Sequence, residues 1–197
     1  MKAQLNNMPI LMYLGKNVKE YRIKCLEIIK KAKEEGRILC ELCLRPMPIH
    51  SHYDRNIKET GETITIYMVW CSKCRAWHAL EPDFLLPYKH YSANEIESVI
   101  IDSATQDVNQ IETAASQSTV RRWIKQISES IKQAVAILKY HFRREGQAVS
   151  EIAIDPGPCY SELEQVLEMA PNEAKYCGNK LGLANIWLGV NDFKVYI

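Results

Sequence analysis

Cys40-Glu-Leu-Cys43 and Cys71-Ser-Lys-Cys74 are two C-x-x-C turns separated by the 27 residues Leu44 to Trp70. A C-x-x-C turn holds two sulfurs within one coordination sphere, and a second turn brought alongside supplies four thiolates for one tetrahedral metal ion. The pairing predicts a zinc ribbon in which Cys40, Cys43, Cys71 and Cys74 bind one Zn2+. Four protein ligands leave no open position for water or substrate, so the expected metal is structural. The alternative is a set of unrelated reduced thiols. Cys25, Cys159 and Cys177 are isolated from one another in the sequence and are expected to be small packing residues in a reducing, cytoplasmic protein.

Three histidines lie near these turns. His78 follows Cys74 by four positions and could stand in as a ligand, although four thiols make it a neighbour. His50-Ser51-His52 could present two imidazoles on one strand face to a catalytic divalent ion. A bulky apolar residue is absent between them, and no helix offers a tyrosine with a partner acid. A metal-dependent nuclease is therefore disfavoured, and the chain is expected not to be an enzyme.

The second chemistry is electrostatic. The formal net charge is only +1, but the distribution is uneven. Between Gln117 and Arg144 seven cations (Arg121, Arg122, Lys125, Lys132, Lys139, Arg143, Arg144) face the single acid Glu129, whereas Glu145 to Glu173 carries seven acids and no Lys or Arg. Only the local field matters to a polyanion. Val120, Trp123, Ile124 and Ile127 recur at helical spacing and are expected to be buried. This leaves Gln117, Ser118, Thr119, Arg121, Arg122 and Lys125 exposed near the helix start. Arg can fork onto guanine and Gln onto adenine, while Ser or Thr can meet base or phosphate. The bland reading is a solvated surface helix. Arg45, Lys73 and Arg75 flank the cysteines, where they either offset the charge of a four-thiolate metal site or contact phosphate.

The elements that must position these residues follow from periodicity. Val18, Tyr21, Cys25, Ile28 and Ile29 predict an amphipathic helix over Lys16–Glu35, stopped at Gly36, in an N-terminal unit of residues 1–39. Pro48–Asn56, Thr63–Trp70 and Ala76–Leu80 predict a three-stranded ribbon within residues 40–80, with a turn at Glu59–Glu62. Residues 81–91, with Pro82 and Pro87, predict an extended linker pinned by Phe84, Leu85, Leu86 and Tyr88. Ser92 and Glu95 form a capping box for a helix whose buried stripe is Ile96, Val99 and Ile100. A short helix over Asp107–Ala114 and a third helix capped by Ser118 and running to about Tyr140 complete a helix-turn-helix at residues 92–145. Residues 146–197 predict a C-terminal cap with a turn at Asp155–Pro158 after Ile152–Ile154, a helix over Ser161–Met169 and an apolar tail. The fold class expected is α+β: a small zinc-ribbon β domain followed by a mainly α helix-turn-helix domain. No segment is apolar enough over roughly 18 residues to span a membrane.

The motifs Cys40-x2-Cys43, His52-Tyr-Asp-Arg55, Cys71-Ser-Lys-Cys74-Arg-Ala-Trp-His78, Leu80-Glu-Pro-Asp-Phe-Leu-Leu-Pro-Tyr88 and Tyr91-Ser92 resemble a family of small bacterial proteins. That family is similar to the zinc-ribbon and helix-turn-helix front end of insertion-sequence transposases. Ser116-Gln-Ser-Thr-Val-Arg-Arg-Trp123 fits its recognition-helix opening, and Ala184-Asn185 with Val195-Tyr-Ile197 resembles its tail. The resemblance implies binding of double-stranded DNA in a mobile-element setting, as a regulator or targeting subunit. Such a protein would act as a homodimer or with a protein partner from the same element. The catalytic domain of full transposases, with its three metal-binding carboxylates, has no counterpart among these residues. The alternative from another class is an adaptor whose ribbon binds a protein partner.

Overall fold

The computed structural model describes residues 9–40, 43–145, 159–168 and 179–190. In chain order the elements are β1 (Ile10–Met12), α1 (Val18–Glu34), β2 (Ile49–Ile57), β3 (Glu62–Cys71), β4 (Ala76–Pro82), α2 (Ala93–Asp102), α3 (Gln117–Arg144), α4 (Cys159–Glu168) and α5 (Lys180–Val190). The class is α+β, with a mixed four-stranded sheet in the order β1-β4-β3-β2. β2, β3 and β4 form the expected antiparallel meander. The addition is β1, which pairs parallel to β4 through Ile10↔Leu80, Leu11↔Glu81 and Met12↔Pro82.

Helix α1 begins at Asn17, whose side-chain oxygen accepts the Glu20 N–H, satisfying one of the free donors of the first turn. Its buried face, Tyr21, Cys25, Ile29 and Ala32, packs in one apolar cluster with Ile38, Ile57, Ile64, Ile66, Val69 and Leu80. Tyr21 donates its hydroxyl proton to the Thr65 carbonyl at 2.6 Å and sets its ring edge-on to Phe84. The helix placed within residues 1–39 and the strands placed within 40–80 thus share a core. The reason is that a small sheet has one face to bury and too few side chains of its own to cover it.

A second cluster runs from Leu86 through Ile96, Val99, Trp123, Ile127, Leu138 and Phe142 to Leu163, Leu181 and Leu188. Phe84 and Leu85 belong to the first cluster and Leu86 to the second, so the proline-bearing segment is a buried seam. Tyr88, expected to pin it, is 76% exposed and has a left-handed backbone, φ 62°. Arg55 does that work instead. Its guanidinium donates to Glu81 Oε2 at 2.8 Å, to the Leu86 carbonyl at 2.8 Å and to the Lys89 carbonyl. Arg55 and Glu81 are 8% and 5% exposed. Burial pushes the Glu81 carboxyl above its ordinary range, outweighing the pull of Arg55. That is the usual balance for a desolvated ion pair.

The three-helix arrangement is corrected. Residues 103–116 contain no helix: Asp107 accepts from the Asn109 backbone N–H and side-chain amide, each at 2.8 Å. A side chain that satisfies the backbone two residues on competes with helix formation. The capping box is corrected too. Ser92 Oγ accepts the Glu95 N–H, but the Ser92 N–H goes to Glu59. The Glu95 carboxylate instead accepts from Thr113 Oγ1 at 2.6 Å and the Ala114 N–H at 2.9 Å. α2 and α3 are therefore joined by a loop that a carboxylate of α2 holds in place.

Two further helices close the second core. α4 corresponds to the helix expected from Ser161; the expected Ile152–Ile154 and Asp155–Pro158 features and Val195–Ile197 lie outside the described residues. α5 was not expected as a helix. Its first backbone donors, on Lys180 and Leu181, point at the Glu97 carboxylate at 2.8 and 3.2 Å, and Tyr160 donates to the same group. Gly182 is required there, because a Cβ would stand 2.2 Å from the Asp83 carbonyl oxygen.

The seam makes a measurable claim. Arg55→Ala strands a buried carboxylate and two carbonyls, and urea denaturation should show a loss of about 3–5 kcal/mol. Arg22→Ala, which removes the half-exposed pair with Glu62, should cost no more than about 1 kcal/mol. Equal losses would remove Arg55 from its place at the junction.

Candidate metal centre and nucleic-acid interface

Each C-x-x-C turn is closed by a hydrogen bond from its second cysteine back to its first. In the first, the Cys43 and Leu44 N–H groups both point at the Cys40 carbonyl, at 3.3 and 2.8 Å, while the Cys40 N–H donates to the Arg45 carbonyl at 2.9 Å. In the second, the Cys74 N–H donates to Cys71 Sγ at 3.4 Å. Leu44 and Arg75, each directly after the second cysteine of its turn, adopt φ of 55° and 54°. A non-glycine residue in this region costs roughly 1–2 kcal/mol. Two such residues at equivalent positions mark paired turns held against that cost. Strand β3 delivers Cys71 and β4 begins at Ala76, its register partner, so the sheet fixes the second turn.

The ligand atoms of Cys40, Cys43, Cys71 and Cys74 all lie within 4.8 Å of one another, and Cys43 Sγ is 3.5 Å from Cys71 Sγ. A tetrahedral ion with bonds of about 2.3 Å to sulfur needs edges of about 3.8 Å. The set therefore fits, and these four sulfurs could hold a metal ion. Cys40 and Cys71 are buried and Cys43 and Cys74 half-buried. Burial pushes the Cys71 thiol up, but the Cys74 N–H and the neighbouring thiols outweigh it and bring it down to about 7. The hydrogen bond with Cys43 and burial push Cys74 up to about 12.

His78 is buried opposite Val69 in the β3–β4 ladder and is not among the converging sulfurs. His50 and His52 are exposed on β2. A register shift between Ile49 and Ser51 interrupts the strand's alternation at His50. The His50 ring meets Trp77 edge-on at 5.0 Å and the His52 ring tilts toward Tyr67 at 6.3 Å. Among the described residues, the four cysteines are the group of His, Cys, Asp or Glu whose ligand atoms come together.

At the start of α3 the cap is Ser116, not Ser118. Ser116 Oγ accepts the Thr119 N–H and is linked to the hydroxyls of Ser118 and Thr119 at 3.1 and 3.0 Å. Gln117, Ser118, Arg121, Arg122 and Lys125 are exposed, Thr119 is half-buried, and Val120, Trp123 and Ile127 are in the core. Arg121 reaches back to Asn109 Oδ1 at 3.3 Å, so the irregular loop orients one of the two arginines. Sequence reasoning missed Lys89. It lies at 3.5 Å from Gln126 Oε1, and burial, followed by repulsion from Arg122, lowers its pKa. The Tyr91–Trp123 ring contact at 4.8 Å ties that segment to α3, and no periodicity within 81–91 signals it.

A model of the family described as Domain of unknown function (DUF6431) matches residues 40–123. That span runs from the first metal-site cysteine to Trp123 in α3. No curated protein and no solved structure matches the chain.

The cluster predicts metal retention. Elemental analysis of purified protein should find one equivalent of a thiophilic ion, and Cys71→Ser should lose it. Acidification should release the ion as the ligands take up protons. A strong chelator should abolish the β signal in circular dichroism. A fold indifferent to both would exclude a structural role.

Proposed function

We propose that this chain is a sequence-specific binder of double-stranded DNA, built on a structural zinc and related to the front end of insertion-sequence transposases. It acts as a regulator or targeting subunit through binding rather than catalysis. The observation that carries the reading is the sidedness of α3. Its first turns expose Gln117, Ser118, Arg121, Arg122 and Lys125 while burying Val120, Trp123 and Ile127. An exposed, cationic helix start with forked donors suits the major groove, where Arg discriminates guanine and Gln adenine. Lys89 beside Arg122 adds a cation suited to phosphate. Zinc is the ion favoured by four thiolates in a closed tetrahedral set without redox demand; iron would be the other choice and would colour the protein.

In this reading α2 and α3 dock as a two-helix unit joined by the Glu95-held loop, in place of a three-helix motif. A homodimer, or a partner from a mobile-element system, would supply the second half-site that such binders commonly use. Ile23 and Leu26, one turn apart on α1 and 71% and 53% exposed, favour a protein partner as a second reading.

Selection of bound duplexes from a random pool by zinc-loaded protein tests the first. An enriched motif is expected, with Arg121→Ala losing about 1–3 kcal/mol on that motif and less on random duplex. Affinity should fall steeply with salt. Absence of an enriched motif, or binding indifferent to salt, would leave the adaptor.

A further inference from the structure

A second surface, at the metal-site end of the sheet, is not used by α3. Trp70 and Trp77 stand directly opposite each other on β3 and β4, with ring centroids 4.8 Å apart. The exposed His50 ring meets Trp77 edge-on. Both tryptophans are half-buried, and neither belongs to or packs against either apolar core. Trp70 directly precedes Cys71 and Trp77 follows Cys74 by three, so the pair sits at the base of the second metal-site turn. Exposed Arg45, Lys73 and Arg75 lie on the two turns. Residues 43–53 and 63–80, which supply all six, contain no Asp or Glu. Among the described residues, none of the three cations is in an ion pair.

Cations that only offset the charge of a four-thiolate metal site would not need a partly exposed aromatic pair beside them. Half-buried rings next to exposed cations, on strand segments without Asp or Glu, match a ligand with both π faces and phosphates. We propose that Trp70, Trp77 and His50, with Arg45, Lys73 and Arg75, form a separate site that stacks unpaired bases of single-stranded nucleic acid. Stacking supplies the affinity and the cations track the backbone, so the site discriminates little between sequences.

The test uses full-length, metal-loaded protein and a short fluorescent oligothymidylate at low salt, read by anisotropy. Binding is expected. Trp70→Ala with Trp77→Ala should weaken it at least about tenfold. Lys73→Ala with Arg75→Ala should weaken it and flatten its salt dependence. Arg121→Ala with Arg122→Ala should leave it unchanged while weakening duplex binding, so the two sites can fail separately. No binding, or binding that survives loss of both tryptophans, would overturn the proposal. Should the tryptophan variant lose its metal, photocrosslinking of wild-type protein to a 5-bromouracil oligonucleotide decides. Adducts on Trp70, Trp77 or His50 support the site, and adducts confined elsewhere reject it.

Discussion

The geometry of the protein depends on the buried guanidinium of Arg55. It leaves β2, crosses the sheet to Glu81, and ends on two carbonyls of the segment that leads into the helices. Few side chains could replace it. A lysine has the charge but not the planar fork that serves a carboxylate and two carbonyls together. A hydrophobic residue would leave those acceptors buried without donors. Because the ion pair is costly to desolvate, its contribution lies in fixing one arrangement of sheet and helices. The metal-site turns and the start of α3 keep a set relation only while that arrangement holds.

Sulfur and sheet depend on each other in a similar way. β3 and β4 place Cys71 and the turn after it, but the first turn has no strand before it beyond the isolated Leu39–Pro46 bridge. Its position is set by Ile38, Cys40 and Met47, which are buried in the first core, and a metal ion on the four sulfurs would tie it to the second turn. The left-handed residues Leu44 and Arg75 show that the turns accept local strain for convergence.

Much of this was legible in the sequence, and the reasons are local. Ligand spacing within each C-x-x-C turn, the alternation of β3 and the apolar stripe of α3 all repeat over a few residues, so they announce themselves without tertiary knowledge. What was missed depends on partners far away. Three residues of β1 are too short to carry a period and become a strand only against Leu80–Pro82. The Asp107–Ala114 stretch has a helical pattern, yet Asp107 satisfies its own loop and Glu95 claims Thr113 and Ala114. Ser116 and Ser118 are equally good caps by type, and the choice falls on the hydroxyl that reaches the Thr119 N–H. α5, with Gly182 and Gly189, reads as a poor helix former. It is held by Glu97, 83 positions earlier.

That last contact has a consequence during synthesis. Glu97 and Asp83 emerge from the ribosome long before Lys180 and Gly182, which complete their surroundings. At about 5–20 residues per second, the interval for those 83 positions is roughly 4–17 seconds. The strand pairings of the sheet all lie within the first hundred residues and can close at once. The helical half must wait with the apolar flank that Leu181, Leu183 and Leu188 cover left open until the distal helix arrives.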